Sequence, residues 1–293
     1  MGISKHPSVV TMPKAEKPYP SVLVFLSKRF PAISREIWEK RLAEGKVLDE
    51  NGQRLTLKTE YAPLRRIFYF REVCTEPLIP FAEKILFLDG EILVACKPHF
   101  LPVTPGGRYV DECLLNRLRS STGIEDLAPL HRIDRGTAGL VLFSVNKSSR
   151  GLYGKLFLHG LVEKTYQALA ACHPRQETAS WAVANRIERG EPGFRMKTAP
   201  GEVNARSVIK LVAVKGEMAR FTLQPQTGKT HQLRIHMSGL GFGILNDSYY
   251  PELQAESEDN FDTPLQLLAQ KLRFMDPLSG RDREFTSERE LLW

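Results

Sequence analysis

Short apolar runs on either side of a turn-forming pair narrow most sharply the folds open to this chain, because they mark hairpin strands. Ile85-Leu86-Phe87-Leu88 is followed by Asp89-Gly90 and then by Ile92 to Ala95. An Asp-Gly pair between apolar runs signals a hairpin, because both turn positions favour positive φ. The longest clean apolar run near the middle, Gly139 to Val145, is strand-sized. It falls far short of the ~20 residues that span a bilayer, so no membrane partner is expected. Thr165 to Ala171, Arg206 to Val214 and Phe221 to Leu223 also read as strands. Helices are predicted from Val110 to Leu118 and from Lys147 to Phe157, the second opened by Asn146. A third is capped by Thr230, buries Leu233, Met237 and Leu240, and ends at Gly241. Hairpins mixed with helices, without a βαβ series, predict an α+β fold.

The first 75 residues stand apart. Residues 1–19 carry Pro and Lys without an apolar stretch and read as a flexible arm, not a secretory signal. Ser21 to Phe30 has helical spacing and stops at Pro31. Ser34 can cap a second helix through Leu42, ended by Gly45. Val47 to Glu50, the Asn51-Gly52 turn and Gln53 to Leu57 then read as a hairpin. Lys28, Arg29, Arg35, Lys40, Arg41 and Lys46 make this module basic. The whole chain holds 41 basic and 34 acidic residues, a net charge of +7. The charge is uneven: residues 1–75 and 76–250 each carry +6, and residues 251–293 carry −5. A basic body suggests a polyanionic partner, nucleic acid first. The acidic stretch around Glu258 and Asp259 reads as a solvated loop away from that partner. Four cysteines lie 22, 17 and 59 residues apart. That spacing suggests neither a zinc site nor a disulfide framework, and cytoplasmic, reduced thiols are expected.

Three segments carry chemistry. In Leu130-His131-Arg132-Ile133-Asp134-Arg135-Gly136-Thr137-Ala138-Gly139 one carboxylate sits between two guanidiniums at the mouth of a strand. Positive charge nearby favours an ionised Asp, which can act as a nucleophile or base. The same residues alone also fit a structural Arg–Asp pair fixing a turn. In Gln224 to His236, Gly228-Lys229-Thr230 resembles the end of a P-loop, but Leu223 stands where the first glycine is required. His231 and His236 are five apart, which does not suit zinc ligation on one helical face. His231, Arg234 and Ser238 share a helical face from which Arg234 could meet a carboxylate or phosphate bidentately, or which could simply be exposed. In Val162 to Ala168, Lys164 and Tyr166 point to one side of a strand and could stack a base and meet a phosphate.

Taken in this order, the segments resemble the RluA-type family of RNA pseudouridine synthases. His131 to Gly139 resembles the family's H-R-L-D-R-x-T-S-G, Lys164-Thr165-Tyr166 its K-x-Y, and Thr227 to His236 its T-G-R-T-H-Q-I-R-V-H. Ile92 to Val103 resembles the opening strand and its N-K-P-x-G-L-P-V loop, and Asn246 to Tyr250 the closing G-D-x-x-Y. The resemblance covers roughly residues 80–293. Ala138, Lys229, Asn246 and Phe100 depart from the pattern, and the last two are expected to alter the rim of the site. Leu26 to Phe30, Arg35 to Leu42 and Glu44 to Val47 resemble the S4 RNA-binding domain. Domains are therefore expected at 20–75 (S4-like) and 76–293 (catalytic, with a mixed, mainly antiparallel sheet).

The resemblance implies isomerisation of specific uridines in structured rRNA or tRNA. The N1–C1′ bond breaks, the uracil rotates, and C5 joins C1′. No atoms are lost, so no cofactor or metal is implied. The target uridine is flipped out of its stack at a cost of a few kcal/mol. Asp134 is then the catalytic group, attacking sugar or base or abstracting a proton. Arg234 pairs with it and keeps it ionised, and Tyr166 stacks on the base and assists proton removal from C5. Arg132 fills the gap left in the RNA, with Lys164 supporting the site. Arg135, Lys229 and His231, with Lys28, Arg29 and Arg35 of the first module, complete the expected RNA contacts. A monomer is expected. The competing classes are a non-catalytic RNA-binding protein on the same fold and a hydrolase releasing free base.

Overall fold

A computed structural model of the chain describes residues 2–3, 7–31, 33–73, 75–172, 179–255 and 257–293. It divides into two compact units, residues 1–77 with 106–111, and residues 78–105 with 112–293.

The first unit contains β1 (Gly2–Ile3), β2 (Ser8–Thr11), α1 (Val22–Arg29), α2 (Arg35–Ala43), β3 (Val47–Leu48), β4 (Arg66–Tyr69) and β5 (Glu72–Val73). Both helices start where their serines predict. Ser21 accepts the Val24 N–H at 3.3 Å and Ser34 the Ile37 N–H at 3.4 Å. The helices bury Val22, Phe25, Leu26, Trp38 and Leu42 against Val47 and Ile67. One expectation is corrected. Ser8–Thr11, assigned to a flexible arm, pairs antiparallel with β4. The hairpin across Asn51-Gly52 forms next to its turn. Asp49 Oδ1 accepts the N–H groups of Asn51 and Gln53, both at 2.8 Å. The Asp49 N–H donates to the Gln53 carbonyl at 2.8 Å, the Leu55 N–H donates to the Val47 carbonyl at 2.9 Å, and Leu48 bridges Arg54. On its other edge β3 pairs with β4. β4 offers Ile67 and Tyr69 for burial, whereas Gln53 and Arg54 are exposed.

The second unit runs β6 (Lys84–Leu88), β7 (Ile92–Lys97), α3 (Leu114–Thr122), β8 (Ala128–Pro129), β9 (Ala138–Ser144), α4 (Arg150–Leu158), β10 (Glu163–Ala171), β11 (Ser180–Arg189), β12 (Met196–Ala199), β13 (Ala205–Lys215), β14 (Met218–Pro225), α5 (Gln232–Gly239), β15 (Leu267–Met275) and β16 (Asp282–Thr286). Among the described residues these strands form one eleven-stranded sheet. Its order is β12-β11-β13-β14-β10-β15-β9-β7-β6, with β16 on β15 and β8 on β9. The fold is α+β and mainly antiparallel, and β15·β9 is the parallel pair. The β6–β7 hairpin forms across Asp89-Gly90, with Asp89 Oδ1 accepting the Glu91 and Ile92 N–H groups, both at 2.9 Å.

Helix starts moved. α3 begins at Leu114, because the Val110 and Asp111 N–H groups are taken by the Glu76 carboxylate, at 2.6 and 2.9 Å, ahead of it. α4 begins at Arg150, since Asn146 spends its carboxamide oxygen on the Ser148 N–H in the preceding turn. The residue opening α5 is His231, in the left-handed region at φ 55°, so Thr230 caps nothing.

β15 was not legible, because Gln270 and Lys271 interrupt its apolar residues, yet it lies at the centre of the sheet. It sets Leu268 beside Ala138 and Ala269 beside both Gly139 and Tyr166. Gly139 has φ 110°, and a Cβ there would lie 2.2 Å from the Ala269 carbonyl oxygen. The glycine is therefore required by close backbone approach as well as by conformation. One residue of β15 thus brings the end of the Asp134 loop and Tyr166 to the same level.

Candidate active site

Asp134 lies in the turn entering β9, where its carbonyl accepts the Thr137 N–H at 3.1 Å. Its Oδ2 receives Arg234 Nη1 at 3.3 Å from α5, 100 residues away in sequence. Arg234 is 5% exposed. Its Nε and Nη2 donate to Asp247 at 2.8 and 2.6 Å, so one guanidinium joins two carboxylates. Asp247 also accepts the N–H groups of Tyr249 and Tyr250 at 2.8 and 3.1 Å. Tyr249 lies under the Arg234 guanidinium, 4.7 Å from it. Burial alone would lower the basicity of Arg234, but its hydrogen bond and charge contact with Asp247, and then Asp134, raise it above the ordinary value. On the α5 face of His231, Arg234 and Ser238, Arg234 is buried between its two acidic partners, while His231 and Ser238 are half-buried.

His231 turns its ring into this cluster. Nδ1 lies 3.0 Å from the Tyr250 hydroxyl and Nε2 3.9 Å from Asp134 Oδ2. The Tyr250 oxygen accepts the Met196 N–H at 2.8 Å. Burial lowers the pKa of His231, with Asp134 opposing. Tyr166 is pushed above the usual tyrosine range by burial and then by the charge of Asp134, so its hydroxyl stays protonated at neutral pH.

The loop carrying Asp134 is fastened from several sides. The buried Lys97 ammonium donates to the carbonyls of Pro98, Leu101 and Arg135 at 2.9, 2.6 and 3.1 Å. Burial pushes Lys97 well below the usual lysine range, with Asp134 opposing. His99 Nδ1 donates to the Gly136 carbonyl at 2.7 Å, and burial lowers its pKa to about 4. His131 Nε2 accepts the Leu142 N–H at 3.0 Å, and its ring stacks 4.7 Å from Phe157. Burial holds His131 at about 3, so it remains a neutral acceptor.

The other expected residues divide. Arg132 is exposed beside Asp134. Arg135 turns away, bidentate on Asp259 at 2.8 and 2.8 Å. The positive charge that the sequence seemed to supply from Arg135 therefore reaches Asp134 from Arg234. The stretch read as a solvated loop is exposed at Ser257, Glu258 and Asn260, but the Asp259 carboxylate within it is turned onto Arg135. Lys164 is buried enough for its pKa to fall, and its charge acts on His131. Lys229 is exposed in a turn whose N–H donates to Gln232 Oε1 at 3.0 Å. In the first unit, Lys28 and Arg29 are exposed against Tyr19 and Phe30, and Arg35 pairs with Glu39 at 2.8 Å. Asp247, Lys97, His99 and Asp259 were not singled out as site residues from sequence. Asp247 and Lys97 stand within quoted motifs, so their signal was present, whereas nothing local marks Asp259.

Phe100 and Asn246 occupy left-handed backbone at φ 65° and 62°. That explains why the related pattern places glycine at both positions. Phe100 is 8% exposed, so it is part of the packing and not of the rim. Among the described residues no helix is long and apolar enough to cross a membrane, and no group of three or more His, Cys, Asp or Glu could hold a metal ion.

A family model described as RNA pseudouridylate synthase matches residues 91–239. The chain is 31% identical over 227 residues to the dual-specificity RNA pseudouridine synthase RluA of Pasteurella multocida, covering 73% of this chain and 95% of that one. It is 26% identical over 230 residues to an uncharacterised RNA pseudouridine synthase of Synechocystis, covering 78% and 79%. Among solved structures it resembles human RNA pseudouridylate synthase domain containing 1, with a TM-score of 0.58 and 24% identity over 73% of this chain and 86% of that one.

Proposed function

Because the chain belongs to the RNA pseudouridylate synthase family, we propose that it isomerises uridines in structured rRNA or tRNA using Asp134 as the catalytic group. The observation carrying this reading is the Asp134–Arg234–Asp247 chain, which sets one solvent-reachable carboxylate against a buried guanidinium. Asp134's side chain is 27% exposed and Asp247's is 0% exposed, so Asp134 is the member a substrate can reach. In the reaction N1–C1′ breaks and C5–C1′ forms. N1 gains a proton and C5 loses one, so the product is an isomer. Whether Asp134 attacks the sugar, attacks the base or takes a proton, it acts through a carboxylate oxygen. Arg234 fixes its direction, and His231 offers a second nitrogen beside it. Tyr166 acts as a neutral phenol whose ring stacks on the flipped base, at about 1–3 kcal/mol per stacked base. Arg132, exposed at the loop, fills the space the uridine leaves. Lys164 and Lys229 add positive charge, and the protein works as a cytoplasmic monomer.

The test incubates purified protein with RNA from cells lacking it, its uridines labelled with tritium at C5. Release of tritium to water without free uracil is the expected result. Free uracil would indicate a hydrolase, and neither signal would leave an RNA-binding protein without this activity.

The first unit is proposed to dock RNA through Lys28, Arg29 and Arg35. Replacing all three with glutamine should reduce the salt dependence of RNA binding, by about 0.7 in log–log slope per lost phosphate contact. An unchanged slope would remove these residues from the interface. They are exposed, so folding should be unaffected.

A further inference from the structure

The acidic segment 257–266 lies against the Asp134 loop and is joined to it by charge and by packing. Asp259 grips Arg135, the residue after Asp134, through both guanidinium nitrogens at 2.8 Å. Its side chain is 11% exposed, against 38% for Arg135. Arg135 Nη1 also reaches the Phe100 carbonyl at 3.4 Å. Two residues later, Phe261 packs edge-on against Phe100 and Phe81, with ring centroids 5.1 and 5.5 Å apart. Leu265 lies so close to Gly136 that a Cβ there would be 3.3 Å from it. Asn246 Nδ2 donates to the Pro264 carbonyl at 3.0 Å. The two positions where this chain departs from the family's glycines, Phe100 and Asn246, thus both contact this segment. A non-glycine residue at positive φ is strained. Here that strain is accompanied by an aromatic contact and a hydrogen bond to one strap.

We propose that Asp259 is a positioning residue for Asp134, and that its carboxylate occupies the guanidinium of Arg135 in place of an RNA phosphate. Carboxylate and phosphate are met by the same bidentate fork, so the two compete for Arg135. With Asp259 in place, Arg135 holds the loop still and takes no part in RNA binding. Without it, Arg135 gains freedom to pair with the backbone of the RNA, and Asp134 loses a fixed neighbour. Rate and affinity should therefore move in opposite directions, a signature that a merely structural ion pair would not give. The proposal rests on the reading of Asp134 as the catalytic group.

The experiment compares the full-length protein with Asp259→Asn, Asp259→Glu and Arg135→Gln. Asp259→Asn should lower kcat by about tenfold to a hundredfold, the scale on which misplaced groups act. KM should not rise. RNA binding, measured with Asp134→Asn also present so that no turnover occurs, should tighten at low salt. Its log–log salt slope should steepen by about 0.7, one added phosphate contact. Asp259→Glu, which keeps the carboxylate, should retain most of the parent kcat. Arg135→Gln should lower kcat without tightening binding, and adding Asp259→Asn to it should change neither. Parent-like kcat and slope in Asp259→Asn would overturn the proposal. So would weaker binding accompanied by lost thermal stability, which would mark a structural pair only. Full activity of Asp134→Asn would instead sink the catalytic reading, and the binding arm would still report on the clasp.

Discussion

Asp134→Asn is expected to abolish pseudouridine formation while leaving the protein folded. Asparagine keeps the shape of the side chain and can still accept the Arg234 Nη1–H that now lies 3.3 Å from Oδ2. The Arg234–Asp247 pair is untouched, so no buried charge is orphaned. The loop itself is held by Lys97, His99 and the Asp134 backbone carbonyl, none of which the substitution alters. What disappears is the negative oxygen that can attack or take a proton. Removal of such a group costs ~10⁴-fold or more in turnover. The measurement is tritium release from C5-labelled uridine in RNA, paired with a urea unfolding curve. Activity within tenfold of the parent would exclude Asp134 as the catalytic group. Loss of activity together with loss of fold would leave the experiment to be repeated with Asp134→Glu, which should fold and also be slow.

Asp247→Ala is expected to have the largest effect on stability of any substitution at the site. Asp247 has a fully buried side chain and accepts four hydrogen bonds, two from Arg234 and two from the N–H groups of Tyr249 and Tyr250. Deleting it leaves Arg234, 5% exposed, with Asp134 as its remaining carboxylate. Breaking a buried pair by removing one partner costs about 3–5 kcal/mol, and here the loss lies towards the lower end because Asp134 still offsets part of the Arg234 charge. That is a large share of the ~5–15 kcal/mol available to a folded domain. The urea midpoint should fall accordingly. Turnover should fall as well, since Arg234 would no longer be held towards Asp134. Asp247→Asn keeps an acceptor for part of the network and should lie between the two. An unfolding free energy within about 1 kcal/mol of the parent would show that Arg234 does not depend on Asp247.

The motifs themselves were readable because each is local. Asp134 with its turn, Tyr166 on its strand and Arg234 on its helix could be assigned to elements from neighbouring residues alone. The β6–β7 hairpin was equally legible, since Asp89-Gly90 carries its own geometry. Expectations failed where the outcome depended on a distant competitor. Ser8–Thr11 looked like part of a flexible arm because its partner β4 is distant in sequence, and pairing there is decided by what β4 buries. α5 lost its Thr230 cap because His231 is drawn into a left-handed position facing Tyr250 and Asp134.

By itself, the sequence determined the α+β class, which follows from hydrophobic spacing and turn chemistry acting over a few residues. It also carried the family, through the resemblance of three local motifs in their order along the chain. The tertiary structure alone decided the partner of Arg135, which meets Asp259 124 residues away. The residues around Asp134 pointed to charge from its own neighbours, whereas the family resemblance pointed to Arg234; Arg135 is bound to Asp259, and the guanidinium at Asp134 is that of Arg234 on α5, 100 residues away. The reason is physical. Ion pairs act at a few ångströms and are indifferent to sequence separation. Their partners are fixed only once β15 has set β9 and β10 at one level and the strap has closed against Gly136.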